Sequence, residues 1–174
     1  EVPVEKACTR ILAKRQPSVT DLIMVVAVIK PFTDLERIGD EAEKIAKIAL
    51  NLAEEDAGFH SRDAGIRHLG DQVQRMVHDV LDAYARLDVD AEIKVVRDNE
   101  EADKEYQDLI RMLITYMMED PRTISEVLDV IWAARALERI GDHAQNIAEY
   151  VIYLVKGKDI RHLDLDEVEK DILS

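Results

Sequence analysis

A six-residue block, Leu-Glu-Arg-Ile-Gly-Asp, occurs twice in this chain, at Leu35–Asp40 and at Leu137–Asp142. The offset is 102 residues, Glu36 to Glu138, and with the next six positions included nine of twelve aligned residues are identical. Chance does not readily produce that match, and an internal duplication does. Whatever the chain folds into must therefore hold two related units, each ending in the same kind of element.

Hydrophobic periodicity identifies that element as helix. Residues 4–14 place Val4, Ala7, Cys8, Ile11 and Leu12 on one amphipathic stripe. A second helix is predicted from Ser18, which with Asp21 resembles a capping box, to about Glu55. Pro31 lies inside it and predicts a kink, because proline removes a backbone donor and crowds the carbonyl of Ala27. Gly58 and Ser61 mark a loop over 54–62. A third helix spans 63–87 and a fourth 91–118. A fifth, opened by the capping pair Thr123 and Glu126, runs to Lys156 before Gly157. The residues from Lys158 form a tail with one short helix at 165–172. Each repeat block thus falls on the last long helix of its half.

Composition agrees with an all-helical chain: 47% hydrophobic residues, 34% charged, and only six glycines and four prolines in 174 residues. The net charge of −14 repels nucleic acid and anionic lipid, disfavours free phosphate, and suits cations or a basic protein surface. Cys8 is the only cysteine, so an intramolecular disulfide and a cysteine metal cage are both excluded. A reducing, cytoplasmic compartment fits that usage, with Cys8 buried and inert. No apolar run reaches the ~20 residues of a membrane span, so no membrane insertion is expected.

On a helical wheel Glu36, Asp40 and Glu43 fall within about 60° of one another, opposite Ile38, Ile45, Ala49 and Leu52. The second copy repeats this with Glu138, Asp142, Gln145 and Glu149 against Ile140, Ile147, Val151 and Leu154. The expectation is an acid stripe that faces away from the bundle core. Like charges one turn apart cost a few tenths of a kcal/mol, and the mid-helix Gly39 and Gly141 about 1 kcal/mol each. Carrying both defects twice implies a compensating role. Two carboxylates one turn apart can chelate a hard divalent or trivalent cation, and glycine permits a close approach. The bland reading pairs the acids with lysines such as Lys44 and Lys47 on a solvated face. Arg37 and Arg139 lie off the acid stripe and suit pairing with neighbouring helices. His143 follows Asp142, and a surface or packing role is expected of it.

The repeat block, followed by Ala-x-x-Ile-Ala, resembles the PhoU family of bacterial phosphate uptake. So do Ala7–Pro17, Met76–Asp88, Glu105–Asp120 and, most specifically, Glu138–His162. The resemblance implies two tandem three-helix bundles, the first incomplete here and N-terminally truncated. It divides the chain into a remnant of the first bundle (1–57), a second bundle (63–157) and a tail (158–174). It implies metal sites for iron, zinc, manganese or magnesium at Glu36 with Asp40 and at Glu138 with Asp142. A second motif on the middle helix falls at Asn99 and Asp103, where Asn99 replaces the usual carboxylate. The role implied is not enzymatic: negative regulation of the phosphate-starvation response, coupling the transporter ATPase PstB to the sensor kinase PhoR and restraining phosphate import. A homodimer or higher self-association is expected, driven by the apolar faces of residues 4–14 and 22–29. Two other classes compete with this. A ferritin-like di-metal enzyme needs Glu-x-x-His on facing helices, and no Glu here has His three residues later. A purely structural scaffold predicts no metal at all.

Overall fold

The structure is a computed structural model, and it describes residues 2–14, 18–54 and 64–156. Five α-helices account for nearly all of them: α1 Val2–Lys14, α2 Val19–Glu54, α3 Ala64–Arg86, α4 Val89–Glu119 and α5 Ile124–Lys156. The predicted loop at 54–62, Gly157 and the tail lie outside the described residues, apart from Glu54 at the end of α2.

Helices α3, α4 and α5 close into a bundle around Leu69, Val73, Met76, Val80, Val95, Leu113, Val127 and Ile147, all essentially inaccessible. Helix α2 lies along the other side of α5, and its Leu35, Ile38, Ile45 and Leu52 join the same core. Helix α5 is therefore central, with neighbours on both flanks. Its alanines, Ala133, Ala134, Ala136, Ala144 and Ala148, are all buried and let those neighbours approach. Helix α1 packs lightly against α2, with Cys8 buried.

The α2 face that meets α5 follows a three-four rhythm: Pro31, Asp34, Ile38, Glu41, Ile45, Ile48, Leu52. That spacing suits shallow-angle packing of long helices. The contacts run in opposite directions along the pair. Lys30 sits over the ring of Tyr150, Asp34 meets His143, and Glu41 meets Arg139. The two copies of the repeat block thus lie side by side on antiparallel helices. Ala49, expected on this face, is exposed.

Helix α2 is continuous through Pro31, as expected of one helix rather than two. The proline leaves the carbonyl of Ala27 without its usual donor. The hydroxyl of Tyr84, on α3, donates to that carbonyl at 3.2 Å. Two ends differ from expectation. Helix α4 begins at Val89 because Asp88 caps it, accepting from the Ala91 amide at 3.2 Å. Before α5, Pro121–Thr123 form a 3-10 turn capped by Asp120, and the Thr123 hydroxyl donates to the Asp120 carbonyl at 2.8 Å. Asp120, rather than the Thr123–Glu126 pair, organises that start.

Candidate metal site

The second repeat block corrects the expected outward stripe. Glu138 and Asp142 are half-buried and Glu149 is buried, because the acid side of α5 faces α4. A wheel locates a face but not the helices that cover it, and the central position of α5 covers this one. The first copy does face outward: Glu36, Asp40 and Glu43 are exposed on α2, with Glu43 paired to Lys47 at 2.6 Å.

In the α4–α5 seam, Asp103 of α4 meets Glu138 and Asp142. One carboxylate oxygen from each lies within 4.8 Å of the others, and all three residues are half-buried. Among the described residues no other group of three possible metal ligands comes together, at Glu36 and Asp40 or elsewhere. Burial first, and then the neighbouring Asp142 carboxylate, raise the pKa of Asp103 and of Glu138 above the ordinary carboxylate range. Arg135 opposes both shifts. It pairs with one oxygen of Glu138 and sits 6.0 Å over the Tyr106 ring. The other oxygen of Glu138, Oε2, is buried and has no hydrogen-bond partner.

Asn99 lies one turn before Asp103 and is 3% exposed. Its amide donates to Asp142 Oδ1 at 3.3 Å and to Gln145 Oε1 at 2.8 Å, and the Gln145 amide donates to Glu149 at 2.8 Å. This chain of hydrogen bonds orients Asp142. The Asn99 carbonyl oxygen lies where a side chain on residue 141 would project: a Cβ there would approach it to 2.6 Å. Gly141 is thus required by a close approach, whereas a Cβ on Gly39 would meet open space.

All-oxygen carboxylate donors, mutual repulsion and an orphaned buried oxygen fit a hard cation such as magnesium, manganese or iron. Asp103, Glu138 and Asp142 are the residues that would hold it. Sequence reasoning found Glu138 and Asp142 from the repeat, and Asp103 only through the family resemblance. It missed the polar contacts between α2 and α5. His143 is buried, its Nδ1 2.8 Å from Asp34 Oδ1, and the Asn146 amide also donates to Asp34 at 3.2 Å. Buried Glu41 pairs with Arg139 at 3.0 Å and Lys44 at 2.9 Å. The three-four rhythm, which puts Asp34 and Glu41 among apolar positions, was the available signal. The expected pairing of Arg139 with a neighbouring helix is what Glu41 supplies.

Comparison with known proteins follows the same lines. A PhoU domain is matched over residues 1–49 and 66–151. The phosphate-specific transport system accessory protein PhoU homolog of Pseudomonas aeruginosa is 50% identical over 169 residues, covering 97% of this chain and 69% of that protein. Its namesake PhoU in Escherichia coli K12 is 45% identical over 170 residues, covering 98% and 70%. The crystal structure of PhoU from Pseudomonas aeruginosa superposes with a TM-score of 0.81 at 52% identity, over 88% of this chain and 73% of that one. That of the phosphate transport system regulatory protein PhoU from Streptococcus pneumoniae gives 0.78 at 30% identity, over 89% and 72%.

Proposed function

Since this chain belongs to the PhoU family, we propose that it is an accessory, non-enzymatic protein of phosphate-specific transport that represses the phosphate-starvation response. In this reading it is a helical adaptor that links the transporter ATPase PstB to the sensor kinase PhoR and restrains phosphate import. The observation that carries the reading is the high identity to named accessory proteins across nearly the whole chain. Pull-down of PstB and of the cytoplasmic portion of PhoR by the protein tests it. Binding to neither would count decisively against the adaptor role.

The adaptor carries metal in the α4–α5 seam, on Asp103, Glu138 and Asp142, and a second ion on Glu36 and Asp40. Support for the first site comes from the orphaned Glu138 oxygen inside a three-carboxylate cluster. A bound cation would neutralise the cluster and bring α4 and α5 together through shared ligands. Metal content of protein purified without chelator is expected to drop in the pair Glu138→Gln, Asp142→Asn. Equal content in variant and parent would sink the site.

The inward turn of the second acid stripe is compatible with the ferritin-like alternative. The missing Glu-x-x-His still weighs against it, and His143 is turned to Asp34 on the other flank of α5. Self-association completes the reading. Leu22, Ile23 and Val26 are each more than 40% exposed along one face of α2. A single species of 19.8 kDa at high concentration by light scattering would refute it.

A further inference from the structure

On the flank of α5 that meets α2, residues of the two helices line an open groove of about 520 Å3. Lys44 and Lys47 line it from α2, Arg135 and Arg139 from α5, and Glu41 is the only carboxylate among the lining residues. Trp132, 64% exposed, forms part of the wall. With Glu43 beside Lys47 and Glu138 beside Arg135 counted, four cations meet three carboxylates, a local positive excess in a chain whose net charge is −14. The cations are also held in place. Buried Glu41 anchors Lys44 at 2.9 Å and Arg139 at 3.0 Å, while their side chains remain about half exposed. The Lys47–Glu43 pair is exposed on both sides, and such pairs exchange at little cost. Arg135 is shared with Glu138 in the seam.

We propose that this groove binds a compact polyanion carrying a flat ring, of the nucleotide class, with its phosphates among Lys44, Lys47 and Arg139 and its ring on Trp132. The cations occupy one helical turn on each helix, which suits concentrated charge rather than the spread charge of an acidic peptide. The volume is that of a small-molecule site. An indole face beside guanidinium groups is a stacking platform for a base, and Arg and Lys donors match phosphate oxygens. The groove lies on the opposite side of Arg135 from the acidic seam and does not use its carboxylates.

Trp132 is the only tryptophan in the chain, so its fluorescence reports on the groove directly. The full chain is titrated with ATP, adenosine, pyrophosphate and a glutamate-rich peptide containing phenylalanine, with chelator present. ATP is expected to give a saturable change with Kd below about 1 mM. Adenosine and pyrophosphate should each bind at least about tenfold more weakly, because each lacks one half of the ligand. The double variant Lys44→Gln, Lys47→Gln should lose about tenfold in ATP affinity with an unchanged thermal melt, since Arg139 still neutralises Glu41. Trp132→Leu, followed by equilibrium dialysis of labelled ATP, should lose affinity as well. No saturable response, or equal ATP affinity in the lysine variant, overturns the site. Pyrophosphate as tight as ATP overturns the ring contact, and a peptide tighter than ATP reassigns the groove to a protein partner.

Discussion

Gly39 and Gly141 occupy the same place in two copies of one block, yet their surroundings give opposite expectations for the same substitution. Gly39→Ala adds a methyl group in open space and removes the helix penalty of glycine, so it should stabilise by up to about 1 kcal/mol. Gly141→Ala drives a Cβ to 2.6 Å from the carbonyl of Asn99, whose amide is held by Asp142 and Gln145. Overpacking there outweighs the helix gain, and a net loss of about 1 kcal/mol is expected. Urea melts of both variants check the contrast, and equal signs would refute it. Glu92 is a second case. It is fully buried in the first turn of α4, neither oxygen has a hydrogen-bond partner, and burial together with Asp88 pushes its pKa up to about 8. In the unfolded chain it ionises near the ordinary value of 4.5, so the unfolded state gains as pH rises from there to about 8. Stability is full below that window and declines through it. Glu92→Gln should remove the decline, leaving the variant more stable than the parent by up to about 4 kcal/mol at pH 7.5 and equal to it near pH 4. Thermal melts across pH test this, and a constant difference would show that Glu92 does not titrate in that way.

At the scale of elements, polar contacts between apolar faces hold the helices in register. Tyr84 caps the carbonyl that Pro31 leaves unpaired, tying α3 to α2 at the level of the proline. Tyr84→Phe keeps the ring and removes the donor, so it should cost about 1 kcal/mol. A double variant that also restores the donor with Pro31→Ala should recover most of that loss, and additivity of the two changes would break the link. The antiparallel α2–α5 pair carries Asp34 with His143 and Asn146, and Glu41 with Arg139. Polar groups at stripe positions fix which residues sit opposite, since a slip of one turn would bury each of them without its partner. The helix spans were legible in sequence to within about two residues at each described end, because period and breakers are local properties. The caps were less so. Asp120 and Asp88 each act through a backbone turn that composition alone does not place.

For the whole molecule, the charge of −14 is a self-repulsion that the compact state concentrates. Raising sodium chloride should raise Tm by a few degrees through screening. At equal ionic strength magnesium or manganese should raise it further, by linkage to whatever cation the native state binds. In the pair Glu138→Gln, Asp142→Asn the screening effect should persist and the extra divalent effect should shrink. Calorimetry separates the two, and an undiminished divalent effect would place the cation elsewhere.

The duplicated block, the helical period and the spacing of the breakers are written along the chain, and they determined an all-α protein with two related units and an acid pair in each. Those properties depend on residues within a few turns of one another. Which flank of each helix would be covered does not, and only the tertiary structure decided it. By placing α5 between α2 and α4, packing turned one acid pair inward against Asp103 and Asn99, left its twin on α2 outward, and gave two copies of one sequence different electrostatics. The same placement gathered Lys44, Lys47, Arg135 and Arg139 beside Trp132, from segments about ninety residues apart that no local pattern connects.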